Sequence, residues 1–223
     1  MASGSSVVAL KYKDGVLLAT DTLLSYGSLA RYPAIQRIKV VGEYTAVAAS
    51  GDYADFQSMA GQMDDLLLED ILCEDYCTLG PKEVFSWLTR VMYNRRCEFN
   101  PLLNTAVVAG YRDGKAFCGF VDSVGTHFEV TDCVATGMAS YVGLPLLRKR
   151  CEENPDMSKE KAIEIIEEVM KVQFYRDCRT INKIIIADCN ASGVEISPPK
   201  TLDTEWKYKL MDFEHTKLIT LPC

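Results

Sequence analysis

Apolar positions along the chain recur with two periods that alternate in blocks. Ser6 to Tyr12 and Val16 to Asp21 are short runs rich in apolar and β-branched residues, separated by Lys13-Asp14-Gly15. An Asp-Gly pair tolerates the positive φ that a tight hairpin needs, so the two runs are predicted to pair. Thr22 to Ala34 carries Gly27 and Pro33 and no regular pattern, and is predicted to be a loop. A second hairpin is expected from Ile35 to Val41, a turn at Gly42-Glu43, and Tyr44 to Ala49.

From Asp52 the period changes: Phe56, Met59, Met63, Leu66 and Leu67 share one helical face, predicting a helix to about Leu72. Gly80-Pro81 marks a fresh start, because proline is tolerated in a first helical turn, and Val84, Leu88, Val91 and Met92 extend that helix to about Arg96. Strands are expected again at Thr105 to Tyr111 and Ala116 to Val121 around Arg112-Asp113-Gly114-Lys115, then at His127 to Val130 and Cys133 to Thr136. Two more helices follow, at about Ala139 to Glu152 and Ser158 to Tyr175, with Ser158 as N-cap. A last hairpin runs from Lys183 to Asp188 and from Val194 to Ser197.

Hairpins, two helices, hairpins, two helices and a hairpin make an α+β pattern. Each helix pair must bury its stripe on a sheet face, and two antiparallel sheets stacked face to face with helices outside satisfy both needs. The expected architecture is a four-layer αββα sandwich in one domain over residues 1–199, followed by a tail over residues 200–223.

Composition narrows what such a domain can do. A hydrophobic fraction of 48% and a charged fraction of 25% are those of an ordinary globular chain. A formal net charge of -7 gives no electrostatic reason to expect nucleic acid, an anionic membrane or an acidic substrate. Apolar runs such as Val7 to Leu10 and Ile184 to Ala187 are too short to span a bilayer, and MASGSS does not read as a secretory signal. The nine cysteines are scattered through helix- and strand-like segments and are expected to be free thiols. Cys73 and Cys77 are a close pair, but His127 and His215 are remote, so buried thiols are expected there in place of a metal site. No metal or other cofactor is expected.

The residues also carry a specific likeness. GSSVVALKYKDGVLLATD from Gly4 resembles the opening of proteasome beta-type subunits, and SYGSLARYPAIQRI and ASGDYADF resemble their noncatalytic seventh beta-type members in particular. WLTRVMYNRRCEFNPLLNT, GYRDGKAFCGFVD, Ala135 to Gly137 and FYRDCRTINK continue it over nearly the whole domain. The resemblance implies an N-terminal-nucleophile hydrolase fold and a place in the 20S proteasome core. The partners it implies are other alpha-type and beta-type subunits in stacked seven-membered rings. It further implies a part in ATP- and ubiquitin-dependent protein degradation, in cytoplasm and nucleus.

Active members of that family use an N-terminal threonine whose free α-amine takes the hydroxyl's proton; an acylated nitrogen has no such capacity. By the resemblance, Ser5 stands at the nucleophile position, after Gly4. With Met1 to Gly4 attached, Ser5 has no free amine. Asp21 matches the family aspartate, but the lysine position falls on Arg37, whose planar guanidinium is permanently protonated. A family serine falls on Met138, a thioether with no hydroxyl to donate. Asp177 matches a second aspartate, and Thr180 keeps a hydroxyl where serine is usual. The plain alternative for Asp21, Asp177 and Thr180 is structural, as turn residues bonding nearby backbone.

The expectation is therefore a noncatalytic structural subunit with a degenerate site. The competing readings are an N-terminal serine peptidase activated by cleavage at Gly4-Ser5 and a free-standing homo-oligomeric peptidase. YGSLARYP lacks the Gly-x-x-x-x-Gly-Lys pattern of a phosphate loop and reads as a contact loop. Arg95-Arg96 and Arg148-Lys149-Arg150 suit helix ends, or solvated or interface faces. The tail mixes Trp206, Tyr208, Leu210, Met211, Phe213, Leu218 and Ile219 among charges, a composition that calls for a groove on a partner.

Overall fold

The Lys13-Asp14 turn joins β2 (Val7–Tyr12) to β3 (Gly15–Asp21), with Tyr12 opposite Gly15 and Val7 opposite Thr20. The structure is a computed structural model, and its described residues are 1–73 and 78–205. In β2 alternate residues feed two different cores: Val8, Leu10 and Tyr12 face one apolar cluster, while Val7 and Ala9 face another. A continuous apolar run is what a strand covered on both faces requires.

Five strands form the main path of that sheet, in the order β11 (Cys133–Ala135), β2, β3, β12 (Lys183–Asn190), β13 (Gly193–Ile196), and β14 (Lys200–Thr201) adds to β12. The other sheet has eight strands. Its main path is β10 (His127–Glu129), β9 (Lys115–Val121), β8 (Asn104–Arg112), β7 (Thr45–Asp52), β1 (Ala2–Gly4), β4 (Leu24–Tyr26) and β5 (Leu29–Tyr32), with β6 (Ile38–Val41) also on β7. All of these pairings are antiparallel.

The sheets enclose an inner core that includes Val7, Leu18, Ala46, Ala48, Val107 and Ile185. On one outer face α1 (Tyr53–Leu72) and α2 (Pro81–Cys97) bury Met59, Met63, Val84 and Leu88 against Val47, Ala106 and Val108. On the other, α3 (Ala139–Val142), α4 (Leu144–Glu153) and α5 (Lys159–Arg176) bury Leu147, Ile166 and Val169 against Leu10, Leu17 and Ile184. Helices, sheet, sheet and helices make the four-layer αββα sandwich.

Local signals account for most element ends. Asp52 caps α1 by accepting from the Ala54 amide, and Ser158 caps α5 by accepting from Lys161. Glu83 returns to the Gly80 amide at the start of α2, with Pro81 in the first turn.

Two expectations need correction, and one strand was not foreseen. The stretch Thr22 to Ala34 is not a plain loop: β4 and β5 form a hairpin there, turning at Gly27, whose φ is 61°. The helix expected from Ala139 to Glu152 is two, divided at Gly143, where an added Cβ would lie 2.9 Å from the Val169 side chain. Close packing on α5 requires a glycine where the axis is interrupted. The residues before Ser5 form β1, too short to show a period of two.

Residues 200–205, assigned from sequence to the tail, lie on the domain. β14 pairs with β12, Leu202 is buried, and the Glu205 amide donates to the Tyr175 hydroxyl at 2.9 Å. The rest of the tail and Cys77 fall outside the described residues.

Candidate functional site

Two strands lie end to end along one flank of β7. β6 pairs with Thr45 to Ala48, and β1 pairs with Gly51 and Asp52, leaving Ala49 and Ser50 between them. Arg37, just before β6, fills that gap and is 1% exposed. Its guanidinium donates to the carbonyls of Ala49 at 3.2 Å, Ser6 at 3.1 Å and Asp21 at 3.2 Å, and pairs with the Asp21 carboxylate. A buried guanidinium is tolerated when paired and hydrogen-bonded in this way.

Gly4 is the counterpart of that arrangement. A Cβ on Gly4 would lie 2.7 Å from Nε of Arg37, so a residue with no side chain is required where the arginine passes. The constraint is close approach, since Gly4 belongs to an extended strand.

Asp21 ends β3 and is fully buried, its second oxygen accepting from the Leu23 amide at 3.2 Å. Burial pushes its carboxyl up from the ordinary aspartate range, while the Arg37 guanidinium and backbone hydrogen bonds at Leu23 and Ile181 pull the other way.

Ser5 follows β1 directly, its nitrogen in the peptide bond with Gly4. Its hydroxyl donates to the Asp177 carboxylate and lies 3.3 Å from the Ser6 hydroxyl. Asp177 caps α5 at its C-terminal end and also accepts from the Arg179 amide at 2.9 Å. Thr180 is turned away: its hydroxyl donates to the carbonyls of Gln173 at 3.2 Å and Asp177 at 3.1 Å. Met138 is 44% exposed at the start of α3.

The sequence-predicted residues therefore divide into two groups. Ser5 and Asp177 touch each other, and Asp21 and Arg37 touch each other, with Ser6 adjoining both. Thr180 supports the α5 end through backbone, and Met138 offers a thioether where a hydroxyl is expected. The hydrogen-bonding roles of Ser6 and Thr136 and the close approach of Arg37 to Gly4 were not read from the sequence. The Ser6 hydroxyl accepts from the Ala139 amide at 3.0 Å, and the Thr136 hydroxyl accepts from the Val7 amide at 3.0 Å. For Ser6 the adjacency to Ser5 was a usable signal; the Gly4 contact had none, because it depends on where Arg37 lies.

Arg37 and Asp21 form a buried ion pair, with the Ser5–Asp177 hydrogen bond beside it. The Ser5 hydroxyl has a carboxylate as its acceptor, and carboxylates are weak bases at neutral pH, poorly matched to a hydroxyl. Among the described residues no cluster of three or more His, Cys, Asp or Glu could hold a metal ion.

The model of the family described as "Proteasome subunit" matches residues 1–189. The chain belongs to the proteasome subunit family. It is 47% identical over 204 residues to the proteasome subunit beta type-4 of Dictyostelium discoideum, covering 92% of this chain and 78% of that protein. It is 45% identical over 206 residues to the beta type-4 subunit of Arabidopsis thaliana, covering 92% and 82%. To the beta type-7 subunit of Saccharomyces cerevisiae it is 36% identical over 195 residues, covering 84% and 73%. These are beta-type proteasome subunits, and the two-sheet sandwich above is the N-terminal-nucleophile hydrolase architecture of this proteasome subunit.

Proposed function

We propose that this chain is a noncatalytic, structural beta-type subunit of the 20S proteasome core. In this reading it supports ring assembly and walls the proteolytic chamber, with other alpha-type and beta-type subunits in stacked seven-membered rings, in cytoplasm and nucleus. Peptide-bond hydrolysis for ATP- and ubiquitin-dependent degradation is left to other beta subunits. Neither a cofactor nor a nucleic-acid or membrane partner enters the reading.

The observation that carries it is the packing of Arg37 against Gly4. Where the family's active members, as the resemblance implies, have a free amine and a lysine, this chain has a peptide nitrogen and a buried arginine. Every described polar contact of Arg37 goes to backbone carbonyls and one carboxylate. β1 is paired on both flanks, Ser3 with Asp52 and with Ser25. Freeing the Ser5 amine would mean cutting the peptide bond that directly follows a strand held inside a sheet.

The alternative, an N-terminal serine peptidase made by cleavage at Gly4-Ser5, is favoured by one feature, the Ser5 hydroxyl on Asp177. Ser5→Ala separates the two. In assembled particles the substitution should leave every peptidase activity unchanged, whereas loss of one activity would support the peptidase.

A further inference from the structure

Two cysteines with no part in the Ser5 site face each other across an element boundary. Cys133 lies on β11, the edge strand of its sheet, and Cys151 lies on α4, which packs across that edge, Cα atoms of the two elements approaching within 8 Å. Both line one open cavity of about 460 Å³, with Lys11, Asp132, Arg148 and Glu152 also in its wall. Both are half-buried free thiols packed against the apolar cluster beneath α4 and α5. The cavity gives a small solute access to sulfur atoms that the core otherwise holds in place.

Each thiol shifts the other's titration, in opposite directions. Cys133 as a neighbour holds the Cys151 thiol below its ordinary range, against burial and the carboxylates of Asp132 and Glu152. Cys151 and burial together push the Cys133 thiol up, against the pull of Arg148. A thiolate is the nucleophilic form of cysteine, and a neighbouring thiol is what resolves an oxidised one.

We propose that Cys133 and Cys151 form an oxidisable dithiol site for hydroperoxides, with Cys151 the attacking sulfur and Cys133 the resolving one. The Cys151 thiolate attacks the terminal peroxide oxygen, the O–O bond breaks, and the leaving alkoxide or hydroxide takes a proton. Cys151 is thereby oxidised to the sulfenic acid. Cys133 then attacks that sulfur, giving up its proton as it does so: the S–S bond forms, the S–O bond breaks, and the departing hydroxide leaves as water with that proton. The net change is two thiols and one hydroperoxide to one disulfide, one alcohol (water from hydrogen peroxide) and one water. The product ties β11 to α4 across the cavity wall and is reversed by a dithiol.

The test is peptide mapping of the native particle after brief exposure to hydrogen peroxide, with alkylation of remaining thiols before and after reduction. Joint loss of the Cys133 and Cys151 thiols as a linked peptide pair, both recovered with dithiothreitol, is the expected result. Cys133→Ser should leave Cys151 as a sulfenic acid trapped by dimedone, and Cys151→Ser should leave Cys133 as alkylatable as before exposure. Unchanged labelling of both wild-type thiols, under conditions that oxidise exposed Cys97, would overturn the proposal. So would loss of the Cys133 thiol in Cys151→Ser. If a variant does not assemble, the wild-type map alone decides.

Discussion

Arg37 and Gly4 are read together, since each residue explains the other. Adding a methyl group at position 4 drives it into a guanidinium that is held by an ion pair and three carbonyls, so neither partner can yield cheaply. Gly4→Ala should destabilise the fold by about 1–3 kcal/mol, the usual cost of overpacking. Denaturant unfolding measures this, and an unchanged midpoint would show that the contact is loose. Arg37→Met leaves Asp21 buried without its cation and should cost about 3–5 kcal/mol near neutral pH. The sign with pH follows from the raised Asp21 carboxyl. A group whose folded pKa lies above its unfolded value contributes stability that is present below the unfolded pKa and lost as pH rises through the folded one. Removing Arg37 raises Asp21 further, so the variant's deficit should shrink as pH falls toward the ordinary aspartate range. A deficit that stays constant on acidification would mean that Asp21 stays ionised.

At the scale of elements, the strands that read as continuous apolar runs are those buried on both faces. In β12 Ile184 and Ile186 feed the outer core, and Ile185, Ala187 and Cys189 the inner one. That pattern made β2, β3, β7, β8 and β12 legible in the sequence, as the change of period at Asp52 and the Ser158 cap did for α1 and α5. What was not legible lacks periodicity. β1 and β4 have three residues each and exist because β7 offers a free flank beyond β6; β5 is exposed along its length. The candidate site divides in the same way: Asp21, Arg37 and Asp177 were visible by position, but the Gly4 contact and the Ser6 bond to Ala139 depend on tertiary placement. Two predictions belong here. Gly119 on β9 lies under the Phe85 ring of α2, where an added Cβ would sit 2.5 Å from the ring edge. Gly119→Ala should therefore lift α2 and lower stability by about 1–3 kcal/mol, read by thermal unfolding. Burial also holds the Cys118 and Cys189 thiols up at about 12, so both stay protonated and inert at neutral pH. Native alkylation followed by peptide mapping should spare them, and prompt labelling of either would show that the inner core opens.

For the molecule as a whole, the four layers leave the helix faces and the strand edges as the surfaces on which a ring could be built. Leu68, Ile71 and Leu72 on α1 and Tyr141 on α3 are large exposed apolar side chains. Residues 200–205 anchor the start of the C-terminal segment on β12 and Tyr175, so whatever residues 206–223 do begins from a fixed point. Their aromatic and aliphatic composition calls for an apolar groove on a partner, which under the proposed function would be a neighbouring subunit. Removing residues 206–223 should leave the domain folded and weaken joining of half-particles; unimpaired joining would refute that role. The central claim, a sandwich that keeps the enzyme architecture without a free amine at its serine, is tested most directly by intact-mass analysis of the chain from assembled particles treated with an N-terminal-nucleophile inhibitor. The account predicts a chain that retains Gly4 and carries no adduct. A chain beginning at Ser5 with inhibitor bound to that residue would contradict it.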